Sequence, residues 1–234
     1  MHSFFYEDLR NAKAEDPIRL CREEENHLFR ILRAVPGDII RLLDGAGCVA
    51  EAEILPDRTV KIVSMRREPA PLLRLHLYFA PPRRQKTEQL LKQAAELGVS
   101  RIVSFFCERS VALPSGENAL RRRDELLMEA CKQSGNPFLP LSDGPMTFEQ
   151  AVADASGRCP LRFFGSPAES SKIPEDLTGD CAFFVGPEGG FTPEEEEKLR
   201  TAGAKAIRIG HRILRVETAA VAGLAVLAAA EKEK

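Results

Sequence analysis

Apolar and polar residues alternate in short runs up to about residue 68. The runs 39–43 and 48–54 are separated by Asp44-Gly45-Ala46-Gly47, and a turn at Pro56-Asp57 precedes a third run at 59–63. Alternating runs of this length, divided by turn residues, predict strands joined as hairpins. One helix is predicted around 23–32. The pattern therefore predicts a small, mostly β barrel over residues 1–68.

Beyond Glu68-Pro69-Ala70-Pro71 the pattern changes to strands that alternate with helices. Proline disfavours both helix and strand pairing, so this segment predicts a stiff connector before a second domain at residues 72–234. The alternation is typical of an α/β domain with a largely parallel sheet, and by itself it predicts an open, unknotted one. The predicted strands are 73–79, 101–106, 161–164, 182–185 and 206–209, and the predicted helices are 86–97, 120–133, 193–201 and 219–230.

Composition excludes several classes of protein. The chain has 234 residues, of which 44% are apolar and 29% charged, as in an ordinary globular protein. A formal net charge of −2 gives no global attraction to nucleic acid, so RNA affinity would have to come from local clusters of Arg and Lys. The six cysteines lack zinc spacing, which predicts reduced thiols and no metal. No signal peptide or membrane span is predicted, which favours a cytoplasmic location.

The most informative stretch is 183–194, FFVGPEGGFTPE. An apolar run stops at glycines and a proline, and Thr192 and Pro193 are typical of the start of a helix. The spacing is neither that of the P-loop nor that of the dinucleotide fingerprint. The segment predicts a strand, a tight loop that a small ligand can approach closely, and a helix. We interpret the acidic run 194–197 as a solvated first turn without a function.

A second unusual string, IGHRILRVETA, occupies 209–219. It predicts a strand that ends near Gly210, a short basic loop and an Ala-rich helix. In α/β sheets ligands collect at the carboxyl ends of strands. The junctions at 164–166, 186–190 and 210–214 are therefore the places where a ligand is expected, with ordinary turns as the alternative.

Together the two strings resemble those of the ribosomal RNA uridine-N3 methyltransferases, a branch of the knotted SPOUT class. The resemblance covers most of the chain through further ordered matches, HLFRILR at 27–33, GD at 37–38, ELGV at 96–99, RS at 109–110 and EACKQSG at 129–135. It implies a SPOUT-type knotted α/β domain with a mostly parallel sheet, preceded by a PUA-like β-barrel that helps to hold RNA. It also implies S-adenosylmethionine as methyl donor, a homodimer, and 16S ribosomal RNA of the small subunit as substrate.

The resemblance also implies roles for individual residues. Contacts to the donor are expected from Phe164, Gly165, Gly186, Glu188, Gly189, Ile209, Gly210, Ile213 and Leu214. Glu188 would equally support its own loop. Methylation at N3 of uridine removes the imide proton while O2 and O4 gain negative charge, so a cation should face the base. Arg109, Arg212 and Arg215 are the candidates, with a phosphate contact as the alternative role of Arg215. Glu217 is either a proton acceptor or a cap of the last helix.

Phosphate contacts are expected from exposed basic residues, with a merely solvated surface as the alternative. Arg30 and Arg33 lie three apart on the predicted first helix and so share one face. The other candidates are Arg83, Arg84, Lys86 and Arg215. The chain lacks the basic residues that the family usually carries near positions 3 and 136. Two rival readings are a related methyltransferase acting on another RNA, such as transfer RNA, and a non-catalytic RNA-binding assembly factor.

Overall fold

The structure, a computed structural model, describes residues 1–13, 17–111, 117–169 and 171–232. The chain divides into two compact units. The first comprises residues 1–70 and 128–139, and the second comprises 71–127 and 140–234. The segment 128–139 thus joins the first unit, although its sequence pattern continues that of the second.

The first unit is built on a four-stranded sheet. Its strands, in the order in which they pair, are β1 (Ser3–Phe5), β2 (Ile39–Leu43), β3 (Cys48–Ile54) and β4 (Val60–Arg67). β1 is parallel to β2 and the other pairs are antiparallel. The hairpin predicted from the alternating pattern is confirmed with its predicted bounds. The pattern did not predict β1, because three residues are too short to show an alternation.

The predicted first helix is confirmed to within one residue at each end, but its second half is not α-helical. α1 (Arg22–Asn26) continues into a single π-helical turn, His27–Ile31, and Arg33 then adopts the left-handed region with φ +55°. The amide of Ala34 donates to the carbonyl of Leu28 at 3.1 Å and closes the helix end. The prediction that Arg30 and Arg33 share one helix face is therefore wrong, because the chain has left the helix at Arg33. Both side chains are exposed.

The segment 128–139 belongs to the first unit through specific bonds. The amide of Leu139 donates to the carbonyl of Gly45 at 2.9 Å, in the turn between β2 and β3. The ammonium of Lys132 donates to both carboxylate oxygens of Glu24, at 2.8 and 3.1 Å. Glu24 is buried, and it also accepts from the amide of Phe5 at 3.3 Å. A buried carboxylate requires such partners, so Lys132 in the EACKQSG string has a structural role here.

The second unit is a six-stranded parallel sheet with helices between the strands. Its strands are β5 (Leu73–Phe79), β6 (Arg101–Phe106), β7 (Leu141–Thr147), β8 (Leu161–Gly165), β9 (Gly179–Val185) and β10 (Lys205–Ile207). Its helices are α2 (Arg84–Glu96), α3 (Glu117–Ser134), α4 (Phe148–Arg158), α5 (Pro193–Thr201) and α6 (Val216–Ala229), with the end of α3 belonging to the first unit. The order in the sheet is β10-β8-β9-β5-β6-β7, and every pair is parallel. The predicted α/β class is confirmed. Across the described ranges, no helix is long and apolar enough to cross a membrane.

Two elements of the second unit, β7 and α4, were not predicted. β7 contains Asp143-Gly144-Pro145, which has the composition of a turn. It lies at the edge of the sheet, where a proline without an amide hydrogen is tolerated. α4 begins with a capping box in which Thr147 and Gln150 each bond the other's backbone amide. The spacing T-x-x-Q is a helix-start signal that was present in the sequence.

A buried ion network joins α4 to the sheet at the start of β6. Arg101, which is 6% exposed, donates from Nε to Asp143 at 2.6 Å and from Nη1 to Asp154 at 2.5 Å. Asp154 also accepts from the hydroxyl of Tyr78 at 2.6 Å and from Arg158 at 2.9 Å. Burial opposes ionisation, but the hydrogen bonds from these donors prevail and lower the pKa of Asp154 to about 2.

Candidate functional site

Three loops lie next to one another at the carboxyl ends of the strands of the parallel sheet. β10, β8 and β9 are neighbours, so the segments that follow their carboxyl ends lie side by side. The amide of Ser166 donates to the carbonyl of Ile207 at 3.0 Å and links the first two of these segments. The predicted ligand contacts all lie at these strand ends: Phe164 and Gly165 close β8, Gly186, Glu188 and Gly189 follow β9, and Ile209, Gly210, Ile213 and Leu214 follow β10.

These residues differ in exposure. Phe164 is fully buried, and its ring meets that of Phe191 edge-on with the centroids 6.4 Å apart. Gly165, Gly186, Ile209, Gly210 and Leu214 are half-buried, whereas Glu188, Gly189 and Ile213 are exposed. Ile213 is 88% exposed and is the most exposed large apolar side chain in the described part of the chain. Phe164 therefore supports the loops from the buried side of the site, through its contact with Phe191. The backbone at the glycines is left open to a ligand.

The loop after β9 has a shape fixed by its own residues. A Cβ atom on Gly186 would lie 3.2 Å from the amide nitrogen and from the ring of Phe191. Gly190 adopts φ +68°, and its amide donates to the carbonyl of Pro187 at 2.8 Å. Glycine is needed at the first position for close approach and at the second for the left-handed conformation.

α5, the helix that follows this loop, starts as predicted, but one residue of its acidic first turn, Glu195, is buried. Thr192 caps α5 and Pro193 occupies its first turn. The side chain of Glu195 turns back to accept from the amide of Thr192 at 2.9 Å, and its other oxygen accepts from the amide of Glu108 at 3.0 Å. Glu195 is only 6% exposed, so the interpretation of the whole acidic run as solvated is wrong. The two bonds, to the amides of Thr192 and Glu108, hold this carboxylate in its buried place, and the T-x-x-E signal of the capping box was present in the sequence.

Arg109 is held against the same loop. It lies between Cys107 and Ser110 in the segment that follows β6, and its Nη1 donates to the carbonyls of Gly189 at 2.8 Å and Phe191 at 3.4 Å. The structure thus brings Arg109 to the predicted donor loop. Burial raises the pKa of the neighbouring Cys107 thiol, so this cysteine stays protonated and does not supply a thiolate.

Glu217 and Lys86, which were predicted to have separate roles, lie together. Glu217 is buried in the first turn of α6, and its Oε1 is 3.4 Å from the ammonium of Lys86 in the first turn of α2. Arg84 pairs with Glu88 at 3.4 Å. The remaining candidates are exposed, namely Arg83, Arg212 and Arg215. Of the basic residues predicted to contact RNA, Lys86 is therefore the one already paired with a buried carboxylate.

The packing of α6 supports the loop after β10. A Cβ atom on Gly223 would lie 2.3 Å from the ring of Phe183 in β9 and 3.0 Å from Cδ1 of Ile209. Only a glycine allows the helix to approach the sheet this closely. α6 begins directly after Arg215, at the end of the basic loop.

In the part of the chain that the structure describes, no group of His, Cys, Asp or Glu side chains is arranged to hold a metal ion. The charged side chains near these strand ends include Arg109, Arg212, Glu195 and Glu217.

Comparison with known proteins identifies the family. Residues 68–228 match the RNA methyltransferase domain, and residues 20–63 match the RNA methyltransferase PUA domain. The chain is 30% identical over 221 residues to the ribosomal RNA small subunit methyltransferase E of Synechocystis sp., an alignment that covers 90% of this chain and 72% of that protein. It is 30% identical over 217 residues to the protein of the same name from Mycobacterium bovis, covering 86% and 82%.

Solved structures agree with these matches. The ribosomal RNA small subunit methyltransferase E from Neisseria gonorrhoeae, bound to S-adenosyl methionine, superposes with a TM-score of 0.88 at 26% identity, covering 99% of this chain and 98% of that one. A methyltransferase from Legionella pneumophila, in complex with the same cofactor, superposes with a TM-score of 0.87 at 27% identity, covering 99% and 98%. The chain belongs to the RNA methyltransferase family that includes the ribosomal RNA small subunit methyltransferases E, with a PUA domain before its methyltransferase domain.

Proposed function

We propose that this protein transfers a methyl group from S-adenosylmethionine to N3 of a uridine in the 16S ribosomal RNA of the small subunit. The observation that carries the proposal is the meeting of three loops at neighbouring strand ends, two of which contain the glycine strings described above. Relatives named for methylation of small-subunit ribosomal RNA, and two similar structures with the cofactor bound, support it.

The residues present fit an adenosyl group. Such a group needs an apolar slot with backbone amides and carbonyls at its rim. Gly186 and Gly210 are half-buried, so their backbone amides and carbonyls are accessible to a ligand. The half-buried side chain of Leu214 supplies an apolar wall. Ile213 is an exposed apolar side chain suited to cover a bound ring. When bound, adenosylmethionine supplies an electrophilic methyl group on a sulfonium. The residues of this chain would hold its adenine and ribose through the loop backbones.

The chain's own groups have to favour the deprotonated uracil. A guanidinium near O2 or O4 stabilises the negative charge that develops as the imide proton leaves. Arg212 is exposed in the loop after β10 and is free to face a base, whereas Arg109 already donates to the loop carbonyls. We therefore assign the cation that faces the base to Arg212, and we assign to Arg109 a contribution through the loop that it holds.

Glu217 is the candidate proton acceptor, and its pairing with Lys86 equally suits a structural role at the start of α6. The variant Glu217→Gln separates the two. If Glu217 is the proton acceptor, its replacement lowers kcat with little change in the melting temperature. If its carboxylate is structural, the replacement lowers mainly the melting temperature.

RNA binding is assigned to exposed basic residues in each unit. Arg30 and Arg33 are exposed in the first unit, and Arg83, Arg84 and Arg215 are exposed in the second. A net charge of −2 makes such local clusters necessary, since the chain as a whole does not attract phosphate. Lys86 contributes only if its pairing with Glu217 is broken on binding.

We further propose a cytoplasmic homodimer with a knotted methyltransferase domain. α6 is built almost entirely from small apolar residues, yet Ala225, Val226 and Ala229 are exposed in the single chain. Val226 is 44% exposed, which is a large fraction for a valine on an apolar helix. A second copy packed on this side of α6 would cover it.

Mass analysis of nucleosides from a strain that lacks the protein tests the proposed function. Loss of N3-methyluridine from small-subunit ribosomal RNA, restored by the wild-type gene but not by an Arg212→Ala variant, supports it. Loss of a mark from transfer RNA instead favours a related methyltransferase with another substrate. No lost mark favours a non-catalytic assembly factor.

A further inference from the structure

Two loops at the candidate site are joined by side chains that cross between them. One is the loop after β6, which contains Glu108 and Arg109, and the other is the loop after β9. Glu195, in the first turn of α5 directly after the second loop, accepts from the amide of Glu108 at 3.0 Å, while Arg109 donates to the carbonyl of Gly189 at 2.8 Å. β5 lies between β6 and β9 in the sheet, so these bonds span the end of a strand. The loop after β6 therefore holds the loop after β9 through Arg109, and the helix that follows the loop after β9 holds the loop after β6 through Glu195.

The second capping box of the chain shows what Glu195 adds. At the start of α4, Gln150 accepts from the amide of Thr147 at 2.9 Å and is exposed. That bond needs a single acceptor oxygen. Glu195 makes the equivalent bond with Oε2, and it uses Oε1 for the amide of Glu108 while being buried. An amide side chain would satisfy the capping box, but only a carboxylate provides both acceptors.

We propose that Glu195 is a positioning residue for the methyl donor, an inference that rests on the proposed function of the loop after β9. Its carboxylate fixes the end of that loop at Thr192 and, through Glu108, places Arg109 over Gly189. Without the second acceptor, the amide of Glu108 is left unsatisfied in a half-buried place and both loops gain freedom. Donor binding then has to order them, which weakens the affinity.

The variant Glu195→Gln tests this proposal, with Gln150→Ala as the matched control. Affinity for S-adenosylmethionine is measured by calorimetry at a temperature well below both melting transitions. We expect Glu195→Gln to weaken donor binding about tenfold, which is the size of effect typical of losing one hydrogen bond to a charged group. The KM for the donor should rise with it, while the KM for RNA should stay unchanged. Gln150→Ala should lower the melting temperature but leave donor affinity within about twofold.

The possible failures are distinguishable. A wild-type protein that does not bind S-adenosylmethionine overturns the proposed function and this inference together. A wild-type protein that binds, with a folded Glu195→Gln variant that binds as tightly, overturns only the inference. If that variant does not fold, amide hydrogen exchange in the wild type decides. Saturating donor should slow exchange at Glu108 together with Gly190 and Thr192, and unchanged exchange at Glu108 would contradict the coupling.

Discussion

Gly223 sets how closely α6 approaches the sheet, so its replacement by alanine perturbs both stability and the site. The new Cβ would lie 2.3 Å from two ring atoms of Phe183, which is fully buried in β9. Carbon atoms in contact are normally about 3.5–4.0 Å apart. The helix or the ring must therefore move by more than about 1 Å. Ile209, whose Cδ1 would lie 3.0 Å from the same Cβ, has to move as well.

The expected cost follows from two opposing effects. Overpacking of a filled core costs about 1–3 kcal/mol. Alanine in a helix interior is more favourable than glycine by up to about 1 kcal/mol, which offsets part of this cost. Because the contact is so short and Phe183 is fully buried, we expect the upper part of the range for overpacking, which leaves a net loss of about 2 kcal/mol. Affinity for S-adenosylmethionine should fall too, since the loop around Ile209 is displaced.

Gly157 provides a matched control. It also lies in a helix, α4, but nothing stands within 4 Å of the position its Cβ would take. Gly157→Ala should therefore raise the free energy of unfolding by about 0.5 kcal/mol and leave donor affinity unchanged. Denaturant unfolding and calorimetric donor titration measure both effects. A Gly223→Ala variant at least as stable as the wild type would refute the packing argument, and one that is destabilised but binds the donor normally would refute the link to the site.

Three further predictions concern stability, assembly and RNA. Because the pKa of Asp154 is lowered to about 2, its stabilisation is present above its unfolded pKa of about 3.9 and is lost as the pH falls toward 2. Asp154→Asn should therefore lower the free energy of unfolding at pH 7 by about 3 kcal/mol, leaving Arg101 with one carboxylate, and flatten the acid dependence in denaturant titrations. If the proposed dimer packs on α6, Val226→Glu should leave only a 25.9 kDa species in sedimentation; a wild type that already sediments at that mass contradicts the proposed dimer. Arg33→Gly removes a charge at a position where φ is already positive, so the melting temperature should stay nearly unchanged. The slope of the logarithm of the RNA binding constant against the logarithm of salt concentration should fall in magnitude by about one. An unchanged slope excludes a phosphate contact of Arg33.

The strands and helices that follow strong patterns could be predicted from the sequence. Thr192 and Pro193 predicted the start of α5, and the alternation on both sides of the turn at residues 44–47 predicted the β2–β3 hairpin. β7 was missed because Gly144 and Pro145 are typical of turns, and only its place at the sheet edge makes them tolerable there. Local composition cannot show where a strand will lie in its sheet.

The sequence predicted the loops of the candidate site, but it did not predict the side-chain contacts that join residues far apart in the chain. Glycine strings located the loops after β9 and β10, whereas the bond between Glu195 and Glu108 joins residues 87 positions apart. The pairing of Lys86 with Glu217 is of the same kind, because it depends on α2 packing against α6. Likewise, residues 128–139 join the first unit through Lys132 and Glu24, which are 108 positions apart. Such contacts are set by the tertiary fold, and no short sequence window contains both partners.

Reconstitution with purified components tests the central claim most directly. Small ribosomal subunits from a strain that lacks the protein are incubated with the wild-type chain and S-adenosylmethionine carrying an isotopically labelled methyl group, and the nucleosides are separated by mass spectrometry. The proposed function predicts label in N3-methyluridine of the 16S ribosomal RNA, with the label lost in the Arg212→Ala variant. Label on another atom or base, or no label with a protein that binds the donor, would contradict it.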